Sequence, residues 1–291
     1  MKRLQLFSQI ILSGLTIGSI YALIALGFTL IFNVSKIINL AQGQFVMIGA
    51  MVYFSFVTSF DLPLLISLLF GLIITAIVGW LMVKVAIDPL GSKYSPIFAI
   101  IVTIAFGEIL QGLALLVWGK SYVGIPAILQ GDSINIFGGN LEPQALMIMV
   151  VSLIVCILFT LLMNKTNIGK TMVAASSDSY AAGLMGINVK KIIVFSFMIS
   201  AALGAIAGIL VGPITMMDYH QGTFLGIKGF IAALLGGMGS YPGAIVGGLL
   251  IGLLESFGGG YISSLMKDAF AFAILLLVLL YKPRGLMKSK V

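Results

Sequence analysis

Ile10-Ile-Leu-Ser-Gly-Leu-Thr-Ile-Gly-Ser-Ile-Tyr-Ala-Leu-Ile-Ala-Leu-Gly-Phe-Thr-Leu-Ile-Phe32 carries no charged side chain. A hydrocarbon layer about 30 Å thick is crossed by about 20 apolar residues in a helix, so this run is long enough to span. Lys2 and Arg3 precede it, as basic residues precede a signal peptide. The run is too long for a signal's apolar region, and no small-residue cleavage site closes it, so it reads as an uncleaved first span.

Similar runs follow at 38–58, 62–84, 97–118, 143–163, 191–212, 224–239, 241–257 and 267–281. With 60% hydrophobic and 9% charged residues and a mean hydropathy of +1.18, the chain has too little polar surface to coat a soluble globule of 291 residues. The expected fold is an all-α polytopic membrane protein of eight to nine transmembrane or broken helices, forming one transmembrane domain over residues 1–291. The net charge of +7 does not point to nucleic acid, because the basic residues fall between apolar runs instead of forming a stripe with aromatics. Cys156 stands alone, which excludes an intrachain disulfide, and His220 is the single histidine, which leaves no His/Cys cluster for a metal.

The basic residues orient the spans. With the 164–191 loop in the cytoplasm, Lys36, Lys84, Lys93, Lys165, Lys170, Lys190, Lys191, Lys282, Arg284, Lys288 and Lys290 form the inner set. Lys2, Arg3, Lys120, Lys228 and Lys267 remain for the outer set, which satisfies the positive-inside bias and places the N-terminus outside.

Two runs are broken. One opens with Asn39-Leu-Ala-Gln-Gly43 and the other ends in Gly236-Gly-Met-Gly239. Unpaired backbone at membrane depth is tolerated only where it lines a cavity or packs on protein. Gln42-Gly-Gln-Phe45 and Gln221-Gly-Thr-Phe224 echo one another, which suggests an inverted repeat whose halves are about 10–118 and 191–281. Asn39, Gln42, Gln44, Glu108 and Gln221 are the candidate pathway residues, with Gln42 and Gln221 expected to flank the route from opposite ends. Glu108, deep in its run with Gln111 on the same helical face, would line the path or lock two helices. Glu255 reads as a structural residue that snorkels or bonds Ser256. Gly204, Gly208 and Gly212 recur every four residues, as do the pairs Gly243 and Gly247, and Gly248 and Gly252, a spacing that lets helix backbones approach closely.

Chemistry is sparse. Asn164-Lys-Thr-Asn-Ile-Gly-Lys-Thr171 lacks the first glycine of a phosphate-binding loop and follows a span where such a loop follows a strand, so Lys165 and Lys170 read as inner-face anchors. No acid pair is spaced for hydrolysis and no nucleophile elbow is present, so the chain is not read as an enzyme. An ATP-driven process would take its ATPase from another chain. Between Asn164 and Lys191 the segment Asp178-Ser-Tyr-Ala-Ala-Gly-Leu-Met-Gly-Ile-Asn188 reads as a short helix suited to receiving force from a motor. Ala181, Leu184, Met185 and Asn188 fall on one face that could fill a groove on a partner. Gly186 would end the helix, and Asn188 would cap the next turn.

The stretch Gly18 through Leu30, the motif Ile38-Asn-Leu-Ala-Gln-Gly-Gln-Phe45 with Gly49, and the loop from Ala174 to Gly186-Ile-Asn188 together resemble the permease subunits of branched-chain amino acid ABC importers. Leu235-Gly-Gly-Met-Gly-Ser-Tyr-Pro-Gly-Ala244 and the ending Pro283-Arg-Gly-Leu286 match the same family, so the resemblance covers nearly the whole chain. It implies a channel-forming subunit in a bacterial inner membrane, paired with a homologous second permease, with two cytoplasmic ATPase subunits and an extracytoplasmic substrate-binding protein. Besides these partners it would contact membrane lipid and no nucleic acid. It would bind no cofactor itself, ATP being used by the partner subunits. Asp178, Ala181, Ala182, Leu184, Gly186, Ile187 and Asn188 would form the coupling contact to the ATPase, with Ala182 a position from which to crosslink. The family often has His and Glu where this chain has Gln42 and Gln44, and a basic residue near Val173. A permease for urea or short amides is the alternative. An ion-coupled carrier is a further one, against which the scarcity of ionisable groups near the midplane counts.

Overall fold

The computed structural model describes residues 2–91, 95–136, 138–263, 266–282 and 285–287. Lys93, Pro283, Arg284, Lys288 and Lys290 lie outside the described residues, as do the side chains of Lys2 and Arg3. Among the described residues eleven α-helices make up most of the structure: α1 (Lys2–Ser35), α2 (Gln42–Thr58), α3 (Leu64–Met82), α4 (Pro96–Trp118), α5 (Pro143–Lys165), α6 (Asn167–Ser177), α7 (Ser179–Leu184), α8 (Val189–Thr215), α9 (Gln221–Gly236), α10 (Tyr241–Tyr261) and α11 (Lys267–Tyr281). Six of them are long and apolar enough to span, α2 and α9 are shorter apolar helices, and α3 runs on through a π-turn and a 3₁₀ turn to Leu90. The fold is therefore an all-α polytopic membrane architecture. A short hairpin of β1 (Ile134–Ile136) and β2 (Gly139–Leu141), which the sequence did not announce, lies in the loop between α4 and α5.

A helix that is apolar on every side is buried, either in the core of a protein or as a membrane span. The middle of α1 obeys this, with Ile20, Leu23, Ile24, Ala25 and Leu26 all buried, and α2 is buried from Gln42 to Tyr53. Helices α3, α4, α5 and α11 form an outer layer with large apolar side chains facing outward, such as Leu65, Leu116, Leu153 and Leu280.

The two ends of the bundle are well separated. At one end the hairpin meets the start of α1, where the Asn140 backbone N–H donates to Gln9 Oε1 at 2.8 Å. At the other, Val34 and Ser35 at the end of α1 and Lys36 after it share a groove with Asp88, Ser176, Asp178 and Lys190. The N-terminus and the α6–α7 loop thus lie at opposite ends, as the charge argument required.

The connections after α1 and α8 resemble one another. α1 and α8 are long helices, each followed by a non-helical link and then a short helix, α2 or α9. Each link begins with a non-glycine residue at positive φ, Lys36 at 57° and Met216 at 50°, a conformation uncommon for such residues. The halves exchange partners: α2 and α3 pack on α8, while α9 and α10 pack on α1.

Glycine makes the close crossings possible. Gly204 and Gly208 admit α2 at Phe45 and Val46, whereas Gly212 admits Ile125 from the α4–α5 loop, so the triple serves two neighbours. On α10, Gly243 and Gly247 lie against Gly236 and Ala232 of α9, and Gly248 and Gly252 against Ala22 and Gly18 of α1. The residues after α11 return to α9: the N–H groups of Leu286 and Met287 donate to the carbonyls of Leu235 and Gly236 at 2.9 and 3.0 Å. Those are C-terminal helix carbonyls that have no partner within α9.

Candidate translocation cleft and coupling helix

The short helices α2 and α9 meet near their N-termini, where Gly43 contacts Gly222 and Gly226 so closely that a Cβ on any of the three would strike backbone. Beside this crossing, α1, α2, α4 and α9 enclose a cleft of about 200 Å³ lined by Phe28, Leu40, Gln44, Ile104, Gly107, Glu108, Thr223, Gly226, Ile227 and Phe230. A chain of polar side chains runs away from it. Gln44 Nε2 donates to Thr223 Oγ1 at 3.0 Å, Thr223 Oγ1 donates to Gln111 Oε1 at 3.3 Å, and Gln111 Nε2 lies 2.8 Å from His220 Nδ1. Gln111 therefore pairs with His220, while Glu108 is exposed on the flank of the bundle.

Of the pathway candidates, the structure brings Gln44 and Glu108 together in this cleft and leaves the others out. Gln42 is fully buried against α8, with Ser200 Oγ donating to its Oε1 at 2.7 Å and its Nε2 donating to the Ser200 carbonyl at 3.0 Å. Gln42 and Gln221 do not flank one route as the sequence suggested. The polar needs of Gln42 are met by a neighbouring helix, so Gln42→Leu is expected to lower thermal stability by about 1–3 kcal/mol, the cost of orphaning a buried partner. A melting curve in detergent checks it. Asn39 is 1% exposed, and its Oδ1 accepts the Ala41 N–H at 3.1 Å, which shapes the link into α2.

Gln221 lines a different cleft, of about 150 Å³, together with Tyr21, Lys228, Glu255 and Lys267. This corrects two further expectations. Glu255 neither snorkels nor bonds Ser256; it is buried, accepting from Tyr21 Oη at 2.8 Å and from Lys228 Nζ at 2.7 Å. Lys228 belongs to no loop: it sits within α9 and also reaches Asp268 at 2.8 Å. The desolvation of a lone carboxylate draws in the nearest cation.

The coupling segment forms two helices, α6 and α7, where one was expected. The near phosphate-binding motif is a helix start, with Thr166 Oγ1 accepting the Gly169 N–H at 3.1 Å as an N-cap. Asp178 caps α7, its Oδ1 accepting from the Tyr180 and Ala181 N–H groups at 2.9 and 3.0 Å. At the other end Gly186 stands at φ 84°, its N–H donating to the Gly183 carbonyl and that of Ile187 to the Ala182 carbonyl. Those paired bonds are a Schellman motif, which glycine accommodates without a Cβ penalty. Asn188 then caps α8 through Lys191 N–H at 3.1 Å. Ala182 is buried, which corrects its choice as a crosslinking position. Ala181, Leu184 and Met185 are exposed, joined by Tyr180, which the sequence reading missed although it lies four residues before Leu184.

Residues 10–279 match the family described as the branched-chain amino acid transport system permease component. The chain is 34% identical over 296 residues to the high-affinity branched-chain amino acid transport system permease protein BraD of Pseudomonas aeruginosa, covering 97% of this chain and 95% of BraD. It is 32% identical to the corresponding LivH protein of Escherichia coli K12, over 97% of this chain and 95% of LivH. Among solved structures, PsaBC from Streptococcus pneumoniae in complex with a Fab aligns with a TM-score of 0.51 at 16% identity, covering 94% of this chain and 91% of that one, which speaks to the fold alone. With the family match spanning almost every helix, this chain belongs to the branched-chain amino acid transport permeases.

Proposed function

We propose that this chain is the permease subunit of an ABC importer that carries branched-chain amino acids across a bacterial inner membrane. In this reading a homologous second permease covers the flank bearing Glu108, two cytoplasmic ATPase subunits dock at α6 and α7, and an extracytoplasmic binding protein delivers substrate beside the hairpin. The names of BraD and LivH support the substrate. The observation that carries the force-transmitting role is α7: a six-residue helix capped at both ends that holds Leu184 and Met185, 73% and 84% exposed, away from the bundle. Exposed apolar side chains on a rigid stub fit a groove on a partner.

Met185→Cys in a Cys156→Ala background is expected to crosslink to the ATPase subunit, whereas Ala182→Cys is not. Absence of any crosslink from Tyr180, Leu184 and Met185 would reject the docking assignment. Gly186→Pro is expected to abolish uptake while leaving the spans in place. Proline holds φ near about −65° and has no N–H, so the Schellman turn cannot form. Stimulation of ATP hydrolysis by the loaded binding protein is the measurement, and retained stimulation would count against coupling through α7.

A further inference from the structure

Helix α4 has two unlike faces. Ala99, Thr103, Phe106, Leu110 and Ala114, spaced by three or four residues, are buried against the bundle, where α4 packs chiefly on α2 and on the π-turn after α3. Ala105, Glu108, Ile109 and Gly112 follow the same spacing on the other side, and all four are exposed. Ile101 and Leu116 extend that side by a turn at each end and are exposed as well. Glu108 stands near the middle of α4 (Pro96–Trp118). Among the described residues it has no ion-pair partner, and the cleft it borders is lined by no cationic side chain.

A charged side chain in the middle of a span faces protein or a water-filled cavity, because lipid offers it no partner. The residues on either side of Glu108 decide between the two. A Cβ at Gly112 would meet nothing within 4 Å, so no contact inside this chain uses the missing side chain, although glycine weakens a helix interior. With Ala105 one turn before Glu108 and Gly112 one turn after it, the face admits the backbone of another helix to the level of the carboxylate, which a water-lined wall does not require. The unpaired carboxylate sets the chemistry of that helix, which must bring a cation. A second copy of this chain does not supply one. Its described lysines stand at helix ends, in turns or in loops, apart from Lys228, which is held by Glu255 and Asp268. Two copies meeting on this face about a two-fold axis would also bring carboxylate to carboxylate. Resting on the importer reading above, we propose that the α4 face from Ile101 to Leu116 is the contact with the second permease, one span of which seats on Ala105 and Gly112 and carries a cationic side chain to Glu108.

The test uses the complete complex in its membrane, with a photoreactive benzoylphenylalanine replacing Ile109 or Leu116. Illumination is expected to join this chain to the second permease. Glu108→Gln is expected to lower the second permease retained on this chain after detergent extraction about tenfold, the effect of losing one hydrogen bond to a charged group. Gly112→Val should lower it at least as far, and in both variants the amount of this chain in the membrane should stay at the wild-type level. Glu108→Lys should abolish retention, and an acidic replacement of the partner's cation, found by mapping the photoadduct, should restore it. Adducts only with lipid or with a second copy of this chain would overturn the contact. So would wild-type retention in Glu108→Gln and Gly112→Val, whatever their uptake, or a charge exchange that restores nothing. A wild-type chain that retains neither a second permease nor an ATPase would instead reject the importer reading itself.

Discussion

Replacing Lys228 with methionine is expected to destabilise the bundle by about 3–5 kcal/mol, the cost of removing one partner from a buried ion pair. Lys228 Nζ stands 2.7 Å from Glu255 Oε1 and 2.8 Å from Asp268 Oδ1, and it joins α9 to α10 and α11 through charge. Without it, Glu255 keeps the Tyr21 hydroxyl and the Lys267 ammonium, which is 3.5 Å away. Lys267 is then the one cation left for two carboxylates, Glu255 and Asp268, so a negative charge is in excess beside a Glu255 side chain that is 9% exposed, and α11, held mostly by α10, loses one of its anchors. The readout is the melting temperature in detergent, together with the amount of protein retained in membranes. Adding Glu255→Gln to Lys228→Met should recover part of the loss, because the stranded charge is gone and the two sites are coupled. An unchanged melting temperature in the single variant, or a double variant as unstable as the two losses summed, would show that the cluster does not hold these helices.

Gly43→Val is expected to prevent accumulation of folded protein. The added Cβ would collide with the Gly222 carbonyl oxygen and stand 2.7 Å from Gly226 Cα. Both obstacles are backbone, which cannot rotate aside, so α2 and α9 must part and the crossing beside the cleft must open. Overpacking of a core costs about 1–3 kcal/mol when side chains can yield. Here the loss should meet or exceed that. Gly112→Val is the matched control, since a Cβ there meets nothing within 4 Å. Equal accumulation of the two variants would contradict the tight crossing.

The polar features differ in how far the sequence revealed them. Gly186 and Asn188 were legible because capping is local: a side chain or a free φ acts on backbone a few residues away, and the structure uses both as helix boundaries, with the Asp178 cap of α7 an addition to them. The Gln42 and Gln221 pairing was misleading because the echo of two motifs reports symmetry, not the direction in which a side chain points. Gln42 turns to Ser200, 158 positions away in the chain. Lys228 and Glu255 could have been found together. They are opposite charges in adjacent apolar runs, and membrane burial forces such groups to pair; the reading fell short by assigning Lys228 to the outer set.

From the sequence alone come the membrane class, the helical content, the broken runs at 38–58 and 224–239, and the end of the bundle that carries the 164–191 loop. All of these follow from hydropathy, charge placement and glycine, which act along the chain over the length of one helix. Only the tertiary structure shows that α2 packs on α8 and α9 on α1, that Gly43 meets Gly222 and Gly226, and that Gln44 and Glu108 share one cleft. In lipid every span is apolar on most sides, so hydrophobicity cannot choose partners. Close fit at glycine and the pairing of buried polar groups make that choice, and both depend on residues far apart in the chain.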